Sequence, residues 1–248
     1  METGYMSQLQ ALPEPLRSQM LNGDFNAGLG DDPWQVIPTE WVVAAQNRWT
    51  PEGRSAKMDS IGIDGARGGP DRTTFAPRHG NWFDEILAYP GAKTPDGPTV
   101  AGLVVPLVRD DCVLNVGLIG VGTSIYDHLQ GLGTLRVSAI NEAEGVDTMD
   151  RTEKLKFRNV RAEMWWRMRE NLDPQYGENV CLPPDSELKA DLCAPRWKLT
   201  IGGILIESKE DLKKRIGRST DKGDATCMTN YVPQTLLSHM DLSRVFRK

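Results

Sequence analysis

Four carboxylates stand out by residue type and position. Asp64 closes the apolar strand pattern Ser60-Ile61-Gly62-Ile63, Asp71 follows the turn sequence Gly68-Gly69-Pro70, and Asp221 and Asp224 sit three apart at a helix start near the C-terminus. An acidic side chain on an apolar strand is costly to bury unless a cation or hydrogen-bond donors meet it. Asp64 is therefore a candidate metal ligand, the alternative being a surface Asp that closes a hairpin. Hard divalent ions such as magnesium take oxygen ligands, keep several waters, and are held by a few carboxylates from distant parts of a chain. Two such ions about 3.5 to 4 Å apart clamp the attacking and leaving oxygens of a phosphodiester in line. Position alone favours reading Asp221 and Asp224 as an N-cap and a first-turn acid.

Other chemistries find less support. His79, His128 and His239 are far apart and form no metal-ligand pair, and no nucleophile has an evident partner. Gly117-Leu118-Ile119-Gly120-Val121-Gly122 follows a strand and precedes a helix, yet Ile125 stands where a dinucleotide fingerprint has its third glycine. No GxxxxGK[ST] run is present. Cys112, Cys181, Cys193 and Cys227 form no CxxC pair, so they read as reduced packing residues, with neither a zinc site nor a disulfide framework.

The 248 residues suit one large domain, or one domain with an extension. No apolar run reaches membrane-spanning length and no signal sequence is read at the start, which gives the expectation of a cytoplasmic protein. The net charge of -5 conceals an asymmetry: residues 1–150 carry 20 acidic and 10 basic side chains, and residues 151–248 carry 14 and 19. Residues 1–57 read as a linker broken by Pro13, Pro15, Pro33 and Pro38, with one helix over 39–47 capped by Thr39. From Met58 the pattern becomes three sequential antiparallel strands, over 58–64, 72–78 and 81–88.

A helix then opens at Asp96-Gly97-Pro98, kinked or shortened by Pro106. The apolar run 112–119, a helix capped by Thr123 or Ser124, and a second strand over 135–140 give a parallel crossover. The sheet is thus expected to be mixed, with helices on both faces. Phe157, Val160, Met164, Met168 and Leu172 make the stripe of a long helix, with Trp165 and Trp166 as packing residues. Gly202-Gly203 turns a hairpin between strands over 198–201 and 204–207. A basic helix through Lys213, Lys214 and Arg215 and a final helix containing Met228 follow.

With these pieces in order, Gly62-Ile63-Asp64-Gly65-Ala66-Arg67-Gly68-Gly69-Pro70-Asp71, Arg78-His79-Gly80-Asn81-Trp82, Ile119-Gly120-Val121-Gly122 with Tyr126-Asp127-His128-Leu129, and Arg218-Ser219-Thr220-Asp221-Lys222-Gly223-Asp224-Ala225 resemble the C-terminal nuclease domain of bacteriophage large terminase subunits. The resemblance covers most of residues 58–230 and implies an RNase H-like α/β fold. It divides the chain into a 1–57 linker, similar to the tail of a terminase ATPase domain, and a 58–248 nuclease domain. It implies a metal-dependent endonuclease that cuts double-stranded viral DNA during packaging without sequence readout. Asp64 and Asp224 would be catalytic metal ligands, with Asp71 and Asp221 as further metal-site acids and two Mg2+ or Mn2+ ions weakly held. Implied partners are double-stranded DNA, the terminase ATPase domain, the small terminase subunit and the portal, with no membrane. The family usually carries a third Asp before the IGVG turn. Gly117 stands there, and reads as a lost ligand rather than a packing choice. A competing reading is a catalytically weakened module that binds DNA or the portal without efficient cleavage. A junction resolvase is a third. Arg158, Arg161, Lys198, Lys209, Lys213, Lys214 and Arg215 are expected to form a face that tracks DNA phosphates.

Overall fold

Strand β1 (Ser60–Asp64) sends alternate side chains to opposite faces of a sheet. Ile61 and Ile63 are fully buried on one face, while Gly62 and Asp64 belong to the other. The computed structural model describes residues 31–231 apart from Ser55, Arg67 and Gly69, together with Gln10, Leu12, Arg17 and Leu21. Strands β2 (Arg72–His79), β3 (Trp82–Phe83), β4 (Leu87–Pro90), β5 (Val113–Gly117) and β6 (Arg136–Ile140) complete a six-stranded sheet of order β3-β2-β1-β5-β6, with β4 also paired to β2. Strand β1 is antiparallel to β2 and parallel to β5, which is parallel to β6.

The third antiparallel strand, expected unbroken over 81–88, is divided into β3 and β4. Arg78 pairs with Phe83, but Phe75 pairs with Leu87, so one extra residue is accommodated on the later strand. Pro77 lies opposite the break and has no N–H to donate to the ladder; its carbonyl accepts from Asp84 N at 3.0 Å.

Helices α2 (Gly97–Val104) and α3 (Gly122–Gly131) cover one face of the sheet. Val100, Val104, Ile125 and Leu129 pack there with Ile61, Ile63, Leu114 and Val116. Helix α2 ends ahead of Pro106 in a single 3-10 turn, as a proline there dictates. Helix α3 has no side-chain cap, contrary to the assignment of Thr123 or Ser124. Thr123 Oγ1 donates instead to Leu118 O, and Ser124 Oγ accepts from Gly97 N.

The opposite face is covered by helices α4 (Val160–Leu172), α5 (Ser186–Cys193) and α7 (Asp221–Met228), α7 following the basic helix α6 (Lys209–Ile216). The hairpin β7 (Trp197–Thr200) and β8 (Gly203–Ile206) turns through Ile201 and Gly202. The expected 39–47 helix is α1 (Thr39–Arg48), with Pro38 at its cap position and Asp31 Oδ2 accepting from Thr39 N at 2.8 Å. Val36, Ile37, Val42 and Ala45 are fully buried in the core that holds Trp165 and Met228, so residues 31–48 pack as part of this body. The four cysteines are free thiols, Cys112 and Cys227 being buried. No helix among the described residues is long and apolar enough to cross a membrane.

Candidate active site

One glycine brings β1 and α7 into contact range. A Cβ on Gly62 would lie 1.9 Å from Ala225 O, so only glycine lets the helix seat this closely on the strand. Asp64, two residues on along the same face, is thereby placed beside Asp224. The start of α7 is held from outside: Asp191 Oδ2 on α5 accepts from Lys222 N at 3.0 Å and Gly223 N at 3.2 Å, and Arg218 pairs with the same carboxylate. Asp191 thus performs the capping assigned by sequence to Asp221. Asp221 turns its Oδ2 to Arg72 N at 2.9 Å.

Asp224 is fully buried. Its Oδ1 accepts from Arg161 Nη1 at 2.8 Å and Trp165 Nε1 at 3.2 Å, and its Oδ2 from Thr220 Oγ1 at 3.0 Å. Lys209, the first residue of α6, reaches into the same place. Its Nζ lies 3.2 Å from Asp64 Oδ1, 2.9 Å from Glu142 Oε1 and 3.6 Å from Asp224 Oδ2. Arg161 Nη1 also bonds Glu142 Oε2 at 2.8 Å. Three carboxylates from β1, the segment after β6, and α7 thus surround two cations.

Burial pushes the Asp64 carboxyl up to about 7, against Lys209, with Asp224 and Glu142 adding to the rise. For Asp224 burial acts in the same direction, but Lys209 and Arg161 outweigh it and hold the group below its ordinary value. Lys209 is held above the usual lysine range because the surrounding acids outweigh its burial. Oxygen donors from three elements directed at one positive charge are the donor chemistry of a hard divalent ion. With Lys209 among them, no group of three Asp, Glu, His or Cys among the described residues is placed to hold a metal ion.

The other expected site residues are placed differently. Asp71 gives both oxygens to Lys213 Nζ, at 2.8 and 2.7 Å. Arg161 is buried under the acids and Lys209 is engaged by them, so neither belongs to an open phosphate-tracking face. Arg215 is paired with Glu207 at 2.6 Å. Arg158, Lys198 and Lys214 remain exposed and form no ion pair among the described residues. His79 is buried against Trp82, while His239 lies outside the described residues, as do most of residues 1–30 and the motif residues Arg67 and Gly69.

Glu142 was not singled out by sequence, since Asn141-Glu142-Ala143-Glu144 reads as a polar loop. Gly117, read as a lost ligand, lies on β5 under the movable end of the Met228 side chain. It follows Val116, the partner of Ile63, and a Cβ there would meet Met228 Cε at 2.7 Å and Sδ at 3.4 Å.

No protein-family model matches the sequence, and no curated protein matches it. Among solved structures, the nuclease domain of the large terminase subunit gp2 of bacterial virus Sf6 matches with a TM-score of 0.61, over 80% of this chain and 99% of that one, at 19% identity. The fold is that of a terminase nuclease domain. A variant of the same Sf6 domain with manganese and beta-thujaplicinol matches to the same extent, at TM-score 0.61 and 19% identity, over 80% of this chain and 99% of that one. The large terminase nuclease from thermophilic phage G20c with bound magnesium also matches, at TM-score 0.49 and 15% identity, over 71% of this chain and 82% of that one. On this fold, the acids gather where β1, the end of β6 and α7 meet, at one end of a mixed sheet between helices.

Proposed function

We propose that this chain is the nuclease domain of a phage DNA-packaging terminase, a divalent-metal-dependent endonuclease that cuts double-stranded DNA without sequence readout. The observation that carries the reading is the convergence of Asp64 and Asp224, 160 positions apart in sequence, on a single cation beside one sheet end. Asp64 and Asp224 would hold the metal, Mg2+ or Mn2+. When bound, it would supply Lewis acidity at the phosphorus and lower the pKa of an attacking water. Arg161, Trp165 and Thr220 fix the Asp224 carboxylate, and the depressed pKa of Asp224 keeps it ionised. Exposed Arg158, Lys198 and Lys214 would meet the backbone phosphates. The partners implied by this setting are double-stranded DNA, a terminase ATPase domain, a small subunit and a portal, with residues 1–57 as the tail of a motor domain.

Plasmid nicking in magnesium and in manganese tests the reading, with wild type beside Asp64→Asn and Asp224→Asn. Loss of at least about a hundredfold in rate is expected for each, as removal of a principal stabilising group gives. Cleavage surviving both substitutions would place the activity elsewhere. The second reading, a weakened binding module, draws on Lys209 and Arg161, which already neutralise the acids. It would be favoured by DNA binding without nicking in either metal.

A further inference from the structure

We infer that the hairpin of β7 and β8 is a DNA wedge: Ile201 at its turn enters the minor groove of a bound duplex and kinks it by unstacking a base step, while Arg158 and Lys198 meet the flanking phosphates. The inference rests on the reading of the chain as a nuclease of double-stranded DNA. Directly opposed residues of a hairpin share a face, so Trp197 with Ile206, and then Leu199 with Ile204, form one apolar face. Trp197, Ile204 and Ile206 are buried, but Leu199 is 42% exposed and Ile201, which follows in the turn, is fully exposed. The apolar face therefore runs out of the core and ends in the open. Turn positions are ordinarily filled by Gly, Pro, Asn, Asp or Ser. A β-branched apolar residue at this one gains the fold no burial.

The tip is braced, and its charge has one sign. Thr200 Oγ1 donates to Gly203 O at 2.8 Å across the turn. Ile204 N donates to Lys156 O at 2.7 Å, and Ile204 O accepts from Arg158 N at 2.9 Å, which ties β8 to the segment before α4. The Arg158 side chain lies over the turn, where a Cβ on Gly202 would meet its Cδ at 2.9 Å and its Nη1 at 3.6 Å. No acid occurs from Pro195 to Ile206, and Lys198 projects from the face opposite Leu199. Asp147, on the neighbouring segment, is paired with Lys156 at 2.8 Å. An apolar tip flanked by cations suits a polyanion with an apolar interior. Isoleucine and leucine are among the side chains with which minor-groove proteins part a base step and kink the duplex, by roughly 20 to 90°. The base of the hairpin is also fixed to the site, since Glu207 O accepts from Arg161 Nε at 3.1 Å and Arg161 Nη1 holds Asp224. A kink made at the tip would be presented at a set offset from the acids.

Energy transfer between the ends of a doubly labelled duplex of about 25 base pairs tests this, with the whole chain in chelator so that nothing is cut. Wild type is compared with Ile201→Ser, Ile201→Leu, Arg158→Ala and, as a control at an exposed leucine just after α3, Leu132→Ser, each checked for folding by thermal melting. Saturating wild type should raise the transfer, as a kink brings the ends together. Ile201→Ser should still bind the duplex but lose most of that rise, whereas Ile201→Leu and Leu132→Ser should keep it. The slope of log affinity against log salt should be unchanged in Ile201→Ser and shallower by about 0.9 in Arg158→Ala, because only the second removes a phosphate contact. A duplex bound by wild type without a rise in transfer, or bent equally by Ile201→Ser, would overturn the wedge, leave the DNA reading standing and assign the apolar tip to a protein partner. Wild type that binds no duplex would overturn both.

Discussion

Asp64 is a carboxyl whose protonation is worth following. Its ordinary value of 3.8 is raised to about 7, first by burial and then by Asp224 and Glu142. Between those two values the folded chain holds a proton that the unfolded chain has released. Metal-free stability therefore falls as pH rises from about 4 to about 7 and stays low above that range. Asp64→Asn removes the ionisation, so in the presence of chelator it should melt a few degrees above wild type at pH 8, with the gain shrinking as the pH is lowered to 5. An equal difference at both values would mean that Asp64 is ionised throughout. The same residue shows what a sequence can disclose. An acid at the end of an apolar strand is conspicuous, because its burial demands a partner. Glu142 is not conspicuous: its neighbour Glu144 looks the same in sequence and is solvent-exposed, and only the tertiary fold separates them. Arg161 and Lys209 were read as surface because their helices carry other basic residues. Helix α4, however, is buried on nearly every side, so a single apolar stripe does not divide its inside from its outside.

At the scale of elements, the seating of α7 on β1 sets the distance between Asp64 and Asp224. Gly62→Ala would drive a methyl group into the Ala225 carbonyl, a backbone atom that cannot step aside without moving the helix. A loss of about 1 to 3 kcal/mol or more is expected from urea denaturation. Gly102→Ala is the control: it lies inside α2, a Cβ there meets nothing, and it should gain about 0.5 to 1 kcal/mol. A Gly62→Ala protein as stable as wild type would show that helix and strand are not in fixed contact. Most of these elements were legible, since apolar alternation in β1, the continuous run of β5 and the stripe of α4 each require one kind of structure. The break between β3 and β4 was not, because it arises from a register shift against Pro77 in another strand. Nor was the cap of α7, which is lent by Asp191 from α5.

Over the whole molecule, the positive excess of the second half divides between two uses. Part is consumed internally, by Lys209 and Arg161 at the acids, Lys213 at Asp71 and Arg215 at Glu207. Part stays outside, where Arg158 lies across the hairpin turn at Gly202, with Lys198 on β7 and Lys214 on α6. Three phosphate contacts predict a log-affinity slope against log salt of roughly -2.7, at about -0.9 per contact with duplex DNA. Fluorescence anisotropy of a labelled duplex between about 50 and 200 mM salt measures it, and alanine at all three positions should flatten the slope. An unchanged slope would mean that other residues meet the backbone.

The close seating of Gly62 under Ala225 has a consequence in time as well as space. During synthesis Asp64 leaves the ribosome ahead of the residues that complete its surroundings, Lys209 and Asp224, which come more than 140 positions later. Until the last described helix has been made and has docked on the first strand, the growing polypeptide holds its acids apart. The pairing of the two acids is thus acquired only once α7 has been made, and a chain released before residue 224 would lack it.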